Sequence, residues 1–367
     1  MKRLCIYVTY DSGNTVDDHI GYMLKELRSV SDRIVVVCNY DHIAKGMENI
    51  VTYADAILYR ENKGYDGGAY KEALEKVTDM ESYDELILSN DTFFGPFIPL
   101  DEIFGRMGKE PCDFWGLNRR HIPMYDFTAS FFVVFKGITV SAAVRYIQDT
   151  ISKDMSRDHV LELFEQGISN ELKKEGFRMG TYCDIGAVDM YRDPDYLINV
   201  LGSPVMKKRC FEPGYYVEEN CRRALRYIDQ KTGYDISLIE KAAVRKYGIV
   251  FDQDYTDIRI SRPNDERGIY YSAPEEELEE FLREHQSVYV YGNGNTARDF
   301  ERLYGDRVSI LGHIVSEGFE NEGFVSAGRI EDKNIPVVVT LSKENSREVS
   351  TKMREFTNVF YLWRWKE

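Results

Sequence analysis

Glu61-Asn62-Lys63-Gly64-Tyr65-Asp66-Gly67-Gly68-Ala69-Tyr70 and Glu85-Leu86-Ile87-Leu88-Ser89-Asn90-Asp91-Thr92-Phe93-Phe94-Gly95-Pro96-Phe97 are the two segments that decide the fold. The first is a glycine-rich turn that leads into a helical pattern. In the second, the apolar run is too short for a helix and predicts a buried parallel strand with Asn90 and Asp91 at its carboxyl end. Open α/β sheets bind ligands at that edge, so we expect a binding site there.

Strand and helix patterns alternate on both sides of these segments. We predict strands over residues 4–8, 33–38, 56–59 and 86–89, with helices over residues 16–27 and from the glycine-rich turn through residue 74. Repeated βαβ units predict an α/β fold with a doubly wound, mainly parallel sheet. Two further strands, over residues 113–117 and 130–135, flank residues 118–124, which we interpret as a loop over the site.

Composition limits the class of protein. A chain of 367 residues exceeds the usual size of one hydrophobic core, so we expect two parts. The net charge of -15 argues against a nucleic-acid partner, because the phosphate backbone attracts basic surfaces. Six cysteines without a CxxC pair predict reduced, buried thiols rather than disulfides or a zinc site.

The sequence gives an expectation for location as well. No secretory signal pattern opens it, and no apolar stretch is long enough to span a bilayer. We therefore expect a cytoplasmic protein, with any membrane contact peripheral and at the inner face. The aromatic segment 359–366 is interpreted as a last core strand with a basic tail rather than as an interfacial anchor.

The last part of the chain has its own α/β pattern. Polar, proline-containing residues 252–266 mark a linker or surface loop, so we predict a domain over 1–250, a linker and helix over 251–286, and a Rossmann-like module over 287–367. The turn Gly292-Asn293-Gly294-Asn295-Thr296-Ala297 opens a helix in this module. A short GxGxxA match is weak, so a packing or assembly module is favoured over a nucleotide site that uses Glu317 as its ribose-binding acid.

Four motifs, in this order, carry a resemblance to a known family: Asn62 to Ala69; Ser89-Asn90-Asp91 followed by Gly95-Pro96; Glu165-Gln166-Gly167-Ile168-Ser169 continuing to Glu175-Gly176-Phe177; and Ser203-Pro204-Val205-Met206-Lys207-Lys208-Arg209. Together they resemble the rhamnan synthesis protein F family over about residues 1–245, and the last module lies outside the resemblance. Those proteins look like GT-A glycosyltransferases that build rhamnose-containing cell-surface polysaccharides.

The resemblance implies sugar transfer from a nucleotide-sugar donor to a glycan or lipid-linked glycan acceptor. Such a reaction needs a nucleotide pocket, neutralisation of the departing diphosphate and a base for the acceptor hydroxyl. The residues that the resemblance places at the donor are Thr9, Tyr10, Asp11, Asn39, Asn62, Gly64, Asp66, Asn90, Lys207, Lys208 and Arg209.

Two acidic residues receive catalytic roles from the resemblance. Ser89-Asn90-Asp91 stands at the position of a DxD motif, so Asp91 is expected to hold a divalent cation, Mg²⁺ or Mn²⁺, against the diphosphate. The alternative is a turn in which Asp91 caps the following loop. Glu165 stands at the position of the base, although Gln166 replaces an aspartate found in many relatives, and Glu162 and Asp126 are rival bases.

The expected activity is therefore transfer of L-rhamnose from a dTDP-activated donor by inverting single displacement. Two alternatives from other classes stay open. One is a nonenzymatic nucleotide-sugar-binding or scaffold protein of polysaccharide assembly, and the other is a nucleotide-binding regulator that acts through the last module.

Overall fold

The computed structural model describes residues 1–251, 266–316 and 324–366, and it divides into two compact units. The first unit comprises Met1–Arg120 and Asp126–Pro263, and the second comprises His121–Tyr125 and Asn264–Glu367. Most of the predicted linker, residues 252–265, and the predicted ribose acid Glu317 lie outside the described residues. The domain boundaries proposed from sequence, at 250 and 287, stay predictions.

Strands and helices alternate through most of the chain. The strands are β1 Arg3–Thr9, β2 Arg33–Cys38, β3 Ala56–Tyr59, β4 Glu85–Asn90, β5 Phe93–Phe94, β6 Phe114–Ile122, β7 Tyr125–Thr128, β8 Phe132–Lys136, β9 Met179–Gly186, β10 Met206–Lys207, β11 Tyr270–Ser272, β12 Ser287–Tyr291, β13 Ser309–Val315, β14 Phe324–Ser326, β15 Val337–Val339, β16 Val359–Tyr361 and β17 Trp363–Trp365. The helices are α1 Asp18–Val30, α2 Glu48–Val51, α3 Tyr65–Lys76, α4 Leu100–Met107, α5 Ile138–Thr150, α6 Arg157–His159, α7 Gly167–Lys174, α8 Pro194–Asn199, α9 Glu218–Lys231, α10 Ser237–Tyr247, α11 Glu275–Glu284, α12 Asn295–Tyr304 and α13 Lys343–Ser350. A π-helical segment, Val160–Gln166, joins α6 to α7.

The main sheet of the first unit has the strand order β3-β2-β1-β4-β8-β6-β7, and β9 also pairs with β6. Strands β1 to β4 are parallel to one another, and β8 is antiparallel to both β4 and β6. The predicted mainly parallel α/β sheet is therefore confirmed. The loop predicted over residues 118–124 is wrong, because β6 continues through Ile122 and β7 begins at Tyr125.

Helices cover both faces of this sheet. Alternate residues of a strand point to opposite faces, so Cys5 and Tyr7 of β1 pack with α1 and α4, while Leu4 and Ile6 pack with α3, α5 and α7. Both sets of side chains are almost fully buried. Burial on both faces explains why β1, β2 and β4 read as continuous apolar runs, and it gives the doubly wound arrangement that the sequence predicts.

The second unit contains a parallel sheet with the strand order β14-β13-β12-β15-β16. Helix α12 follows β12 and helix α13 precedes β16, so the unit is Rossmann-like as predicted. Strand β14 and helix α13 have no counterpart in the sequence interpretation. The last strand predicted within residues 359–366 is divided into β16 and β17, and β17 pairs with β11. Helix α11, predicted as part of the linker, packs Leu278 and Leu282 into the apolar core of this unit.

Two further expectations from the sequence concern the cysteines and contact with a membrane. All six cysteines are buried, in line with the prediction of buried thiols. In the part of the chain that the structure describes, no helix is long and apolar enough to cross a bilayer.

Candidate functional site

The carboxyl ends of β1 and β4 meet at one edge of the main sheet, where Asp91 organises the adjoining backbone. Parallel pairing sets Val8 of β1 beside Asn90 of β4, so the residues that follow each strand lie close together. Asp91 Oδ2 accepts a hydrogen bond from Thr9 Oγ1 at 3.0 Å and another from the Tyr10 backbone nitrogen at 3.2 Å. The sequence prediction that Thr9, Tyr10 and Asp91 share one site is consistent with this geometry.

Lys208 forms an ion pair with the same carboxylate. Its Nζ lies 3.4 Å from Asp91 Oδ2, and the side chains of Lys208 and Asp91 are only 12% and 9% exposed. Burial lowers the pKa of Lys208, and the charge of Asp91 opposes that shift. Removal of one partner from a buried pair costs about 3–5 kcal/mol because it leaves the other charge uncompensated. Removal of either charge should therefore destabilise this edge of the sheet.

Asn90 faces a second carboxylate, that of Asp66. Asn90 Nδ2 donates to Asp66 Oδ2 at 2.8 Å, while Asn90 Oδ1 accepts hydrogen bonds from the nitrogen and Oγ1 of Thr92 at 3.1 and 2.7 Å. Burial raises the pKa of Asp66 despite the hydrogen bonds from Asn90 and the Gly67 backbone. A carboxylate from the glycine-rich turn and the polar end of β4 thus form one hydrogen-bonded group.

Glu165 lies next to that group, in the π-helical segment Val160–Gln166. Burial raises the pKa of Glu165, and the charge of Asp66 raises it further. The charges of Lys207 and Arg120 and a hydrogen bond with Ser130 lower this pKa, but they do not cancel the increase. Single-turn π-helical insertions occur frequently at functional sites. A carboxylate with a raised pKa at a sheet edge has the properties of a general base.

Lys207 lies near enough to the carboxylates of Glu165 and Asp66 to interact with the charges of both. Its Nζ donates to Thr92 Oγ1 at 2.5 Å and lies 4.3 Å from the centre of the Phe131 ring. Burial lowers the pKa of Lys207 to about 8, and the charges of Glu165 and Asp66 partly oppose the shift. Lys207 therefore contributes a positive charge to a group that would otherwise hold two neighbouring carboxylates.

Asn39 and Asn62 form a third part of the edge, at the end of β2. Asn39 Nδ2 donates to Asn62 Oδ1 at 3.2 Å and to the Tyr65 carbonyl at 3.3 Å. Arg60 donates to Asn39 Oδ1 at 3.1 Å and forms an ion pair with Glu72 at 3.0 Å. The predicted pair of amides is therefore close together, and an arginine that the sequence interpretation did not select holds it in place.

The glycines of the turn are explained by packing within the chain. Gly64 has φ +63°, and a Cβ placed on it would lie 2.6 Å from the carbonyl oxygen of Lys153. A Cβ on Gly68 would lie 3.1 Å from the same oxygen. These glycines thus allow a close backbone approach between the turn and residues 152–153. Tyr65 also has a positive φ, of 51°, which is uncommon for an aromatic residue and marks strain beside the site.

Asp11 binds two basic residues of α10. Arg245 donates to its two carboxylate oxygens at 3.1 and 2.9 Å, and Lys246 Nζ lies 3.7 Å from Oδ2. Burial alone would raise the pKa of Asp11, but the hydrogen bonds from Arg245 outweigh it and the pKa is lowered. Arg245 also binds Asp17 at 2.7 Å. The predicted donor residue Asp11 therefore lies in a saturated ion-pair group at the end of β1.

Arg209 is separated from its two lysine neighbours. Its guanidinium forms an ion pair with Glu212 at 2.6 Å and lies over the rings of Tyr191 and Tyr215, at 5.1 and 4.5 Å. The basic run of the sequence thus divides: Lys207 faces Glu165 and Asp66, Lys208 faces Asp91, and Arg209 packs on aromatic rings.

The rival bases have other surroundings. Arg119 binds both oxygens of Asp126, at 2.7 and 2.9 Å, and Lys173 approaches the same carboxylate at 3.3 Å. Glu162 is exposed on the π-helical segment. These surroundings favour Glu165 as the base, because it is the candidate that combines partial burial with a raised pKa.

Residues from distant parts of the chain complete the site. Sequence interpretation did not select Arg60, Thr92, Ser130, Arg120, Lys246 or Arg245. Thr92 and Arg60 adjoin chosen motifs, so proximity in sequence is a usable signal for them. Arg245 pairs with Asp11 across 234 residues, and nothing local distinguishes it from a solvated helix residue.

The cavities in this part of the protein differ greatly in size. The enclosed space beside Asp91, Lys208 and Arg245 is about 10 Å³, enough for roughly one water molecule. An open depression of about 750 Å³ lies elsewhere, and Arg60, Lys71, Asp149 and Lys153 are among its lining residues. Its size suits a small molecule, yet it holds none of the group formed by Asp91, Lys208, Asp66, Lys207 and Glu165.

The glycine turn of the second unit has a simpler environment. Gly292 has φ +124°, and a Cβ there would lie 2.8 Å from Thr340 Oγ1, so packing requires this glycine. Gly294 precedes α12 with φ -82°, and a Cβ there would meet no atom within 4 Å. His313 Nδ1 lies 2.8 Å from the Gly292 carbonyl oxygen. Helix α12 therefore begins next to open space.

Comparisons with known proteins bear on the whole chain. Solved structures that align with it include HddC from Yersinia pseudotuberculosis (12% identity, 50% of this chain and 91% of that one, TM-score 0.32) and a cytidylyltransferase from Leptospira borgpetersenii serovar Hardjo-bovis (12%, 69% and 100%, TM-score 0.34). A protein from Desulfovibrio desulfuricans G20, provisionally assigned as a nucleotide-diphospho-sugar transferase, aligns at 14% identity over 66% of this chain and 98% of its own, with a TM-score of 0.32. TM-scores this low add nothing to the fold described above.

Sequence comparison gives a more definite result. No curated protein matches the chain. The family described as "Rhamnan synthesis protein F" (RgpF) matches residues 34–258, which is more than half of the chain and includes most of the first unit. The matched range contains Asn39, Asn62, Asp91, Glu165 and the two lysines Lys207 and Lys208. The chain belongs to the rhamnan synthesis protein F family.

Proposed function

We propose that this chain is a GT-A-type glycosyltransferase that moves L-rhamnose from dTDP-rhamnose to a growing cell-surface glycan with inversion of configuration. Membership of a rhamnan synthesis family supports a transferase that uses a nucleotide sugar. The observation that carries the proposal is the group formed by Glu165, Asp66 and Lys207 beside the Asp91–Lys208 pair. It supplies a proton acceptor and two cations at one edge of the sheet.

The reaction breaks one bond and forms one bond. The bond from the anomeric carbon to the diphosphate oxygen breaks, and its electron pair leaves with the nucleoside diphosphate. The acceptor hydroxyl oxygen forms the new bond to that carbon, and its proton passes to the carboxylate of Glu165. Because the acceptor attacks from the face opposite the leaving group, the configuration inverts.

The raised pKa of Glu165 suits this role. Efficient general bases have pKa values raised towards the working pH, because a stronger base accepts the proton more readily. Burial and the charge of Asp66 raise the pKa of Glu165, whereas Lys207 limits the shift and favours the ionised form at neutral pH. Lys207 thereby helps to keep Glu165 ready to accept a proton.

The nucleoside is assigned to the part of the edge formed by Asn39, Asn62 and Arg60. Tyr10 and Tyr65 keep 42% and 41% of their surface exposed, so both rings are available to a base or sugar. Since the space enclosed beside Asp91 is small, we propose that the donor lies across the open edge. The acceptor is a glycan or lipid-linked glycan, and the reaction takes place in the cytoplasm at the inner face of the membrane.

The test is a comparison of three acidic variants. Glu165→Gln removes the proton acceptor with little change in shape, so transfer from dTDP-rhamnose should fall by about 10²- to 10⁴-fold while dTDP affinity stays near wild type. Glu162→Gln is the matched control on the same segment and should turn over normally. Asp126→Asn should lower stability through its ion pairs with Arg119 and Lys173, without an effect on turnover per folded molecule.

Normal turnover by Glu165→Gln together with loss in Glu162→Gln or Asp126→Asn would remove Glu165 from the role of base. The anomeric configuration of the product, determined by nuclear magnetic resonance, tests inversion independently. A product with retained configuration would exclude the single displacement.

A second candidate function is nucleotide binding by the second unit in a regulatory or scaffold role. The observation in its favour is the Rossmann-like parallel sheet with an open glycine turn before α12. Thermal-shift measurements with dTDP, UDP, GDP and NAD separate the two functions, because a ligand of the native state raises the apparent stability. A response to NAD alone favours the second unit, and nucleotide-sugar binding without turnover favours a scaffold.

A further inference from the structure

The residues at the DxD position are already occupied by contacts within the protein. Asp91 Oδ2 accepts hydrogen bonds from Thr9 Oγ1 and the Tyr10 nitrogen, and Lys208 Nζ lies 3.4 Å from the same oxygen. A divalent cation that used Oδ2 as a ligand would share this oxygen with an ammonium group, and one bound through the other oxygen of the same carboxylate would still lie near that ammonium group. Like charges at such a distance repel strongly where water is largely excluded.

The neighbouring side chain offers a divalent cation no better position. Asn90 uses its Nδ2 for Asp66 and its Oδ1 for two hydrogen bonds from Thr92. Mg²⁺ and Mn²⁺ prefer several oxygen ligands, normally with one or two carboxylates among them. Within residues 1–251, 266–316 and 324–366, no group of three His, Cys, Asp or Glu side chains converges on a point that could hold a metal ion. The donor set around Asp91 does not fit the expected divalent cation.

Two lysines occupy the place where such a cation would act. Strand β10 pairs with β5, with Lys207 opposite Phe93, and the Lys208 nitrogen donates to the Thr92 carbonyl at 3.0 Å. Successive residues of an extended chain point to opposite sides. Lys207 therefore reaches Thr92 Oγ1 on the side of Glu165, while Lys208 reaches Asp91 on the other side.

This arrangement sets one ammonium group on each side of the Asn90-Asp91-Thr92 segment. Two ammonium charges equal the charge of one divalent cation, and charge-assisted hydrogen bonds to phosphate oxygens are about twice as strong as neutral ones. Lys207 is held by the pairing of β10 with β5, and Lys208, the first residue of a 3-10 helix over Lys208–Phe211, is held by its backbone hydrogen bond to Thr92. Lysine is a common phosphate ligand in proteins for this reason.

We propose that Lys207 and Lys208 take the place of a divalent cation and bind the diphosphate of the donor, so that transfer proceeds without a metal ion. This inference rests on the proposed transferase function and names the two residues that offset the negative charge of the diphosphate. Asp91 then acts as a positioning residue that holds Lys208, and the two ammonium groups stabilise the negative charge that develops on the departing diphosphate.

The experiment measures the binding of inorganic pyrophosphate and dTDP by calorimetry on the full chain, once in EDTA and once in Mn²⁺. We expect equal affinity in both conditions. Lys207→Met and Lys208→Met should each weaken binding about 10- to 100-fold, the range expected when one hydrogen bond to a charged group is lost. Lys174→Met is the matched control, because this lysine lies on α7 with 77% of its side chain exposed.

A second variant distinguishes weaker binding from a loss of folding. Lys208→Met leaves Asp91 without its ion-pair partner, so circular dichroism is recorded for each protein, and the double variant Asp91→Asn, Lys208→Met removes both charges together. The double variant should be folded and should bind pyrophosphate as weakly as Lys208→Met. Wild-type affinity in a folded double variant would overturn the assignment of Lys208.

The outcomes separate this inference from the proposed function. Binding of dTDP that requires Mn²⁺, or binding in EDTA that neither lysine variant weakens, overturns the inference and leaves the transferase proposal standing. Failure to bind dTDP, UDP, GDP or pyrophosphate in either condition overturns both. Binding in EDTA that is lost in the lysine variants and kept in Lys174→Met supports the inference.

Discussion

The two units each contain parallel strands with a glycine turn near a strand end, but the chemistry at the two edges differs. At the edge of the first sheet, Asp91, Lys208, Asp66, Lys207 and Glu165 interact in a largely buried group. At the edge of the second sheet, Gly292 is fixed by packing against Thr340 and Gly294 faces open space. The first edge therefore carries several charged side chains, whereas the glycine turn at the second edge exposes mainly backbone atoms.

This difference shows that sheet topology alone does not identify a working site. Parallel strands provide a ligand-binding edge in both units. The desolvated charges are what distinguish the first edge, because burial of ionised groups is costly and is retained mainly where pairing or function compensates for it. We therefore expect the transfer chemistry in the first unit, and the following predictions test this expectation.

The first prediction compares the same substitution, aspartate to asparagine, in each unit. Asp91→Asn removes the charge that positions Lys208, so transfer should fall by about 10²- to 10³-fold, the range seen when one preorganised electrostatic contact is lost. Asp299→Asn on α12 alters an exposed i,i+3 ion pair with Arg302 and should leave transfer unchanged. Donor turnover and circular dichroism of both purified variants check the prediction. Equal turnover of the two variants would remove Asp91 from the site.

The second prediction compares one glycine from each turn. Gly64→Ala places a Cβ 2.6 Å from the Lys153 carbonyl at a left-handed φ, so the free energy of unfolding should fall by at least about 1–2 kcal/mol. Gly294→Ala has a negative φ and open space, and its cost should stay near about 0.5 kcal/mol as a change at a helix N-cap. Urea denaturation measures both values. A larger loss for Gly294→Ala would show that the second turn is the more constrained one.

The third prediction is a pH dependence carried by Lys207. Its pKa is about 8, below the ordinary value, so the ammonium form is present below pH 8 and is lost above it. Affinity for dTDP should therefore fall as the pH rises from 7.5 to 9.5, by up to about tenfold per pH unit above 8, since one protonated group is required for tight binding. The dTDP phosphates are already ionised in this range.

Lys207→Arg provides the matched control for the pH series. Arginine stays protonated at all these pH values, so the affinity of this variant should be nearly independent of pH even if its geometry weakens binding overall. Calorimetry in buffers of different ionisation enthalpy reports the proton uptake directly. A pH dependence that persists in Lys207→Arg would assign the titration to another group.

The smallest effect is expected from removal of the second unit. A fragment of residues 1–263 keeps the main sheet and the charged edge, and independent domains commonly survive separation. Its dTDP affinity should equal that of the full chain, as measured by calorimetry. An insoluble fragment, or a folded one that no longer binds dTDP, would show that the two units are not functionally separate.

The fold could be predicted from sequence wherever hydrophobic pattern and burial agree. Strands β1 to β4 read as apolar runs because both of their faces are covered, and α1 reads as a helix because one stripe of it is buried. Residues 118–122 were mistaken for a loop because Asn118, Arg119, Arg120 and His121 are polar, although pairing with β9 holds most of them in a strand. Polar residues at the end of a strand lack the apolar pattern by which a strand is recognised in a sequence.

The site could be predicted only as far as its local motifs extend. Asn62, Asp66, Asn90 and Asp91 lie in two short segments whose turn and strand patterns set them at one edge. The division of Lys207, Lys208 and Arg209 among three environments depends on strand pairing and on distant aromatic residues, which no local pattern encodes. The pairing of Asp11 with Arg245 depends on how α10 packs against the end of β1, a contact between residues 234 positions apart.

The buried cysteines have a practical consequence for measuring motion at the site. The reactive form of cysteine is the thiolate, and burial raises the pKa of Cys38, Cys183 and Cys221 to about 12 and that of Cys5 and Cys210 as well. Maleimide dyes should therefore react slowly with these five thiols. Cys112, whose Sγ lies 3.4 Å from Lys136 Nζ, is the native cysteine to replace before labelling. A single fluorophore attached through Tyr65→Cys, where 41% of the side chain is exposed beside the donor edge, would report ligand arrival in real time.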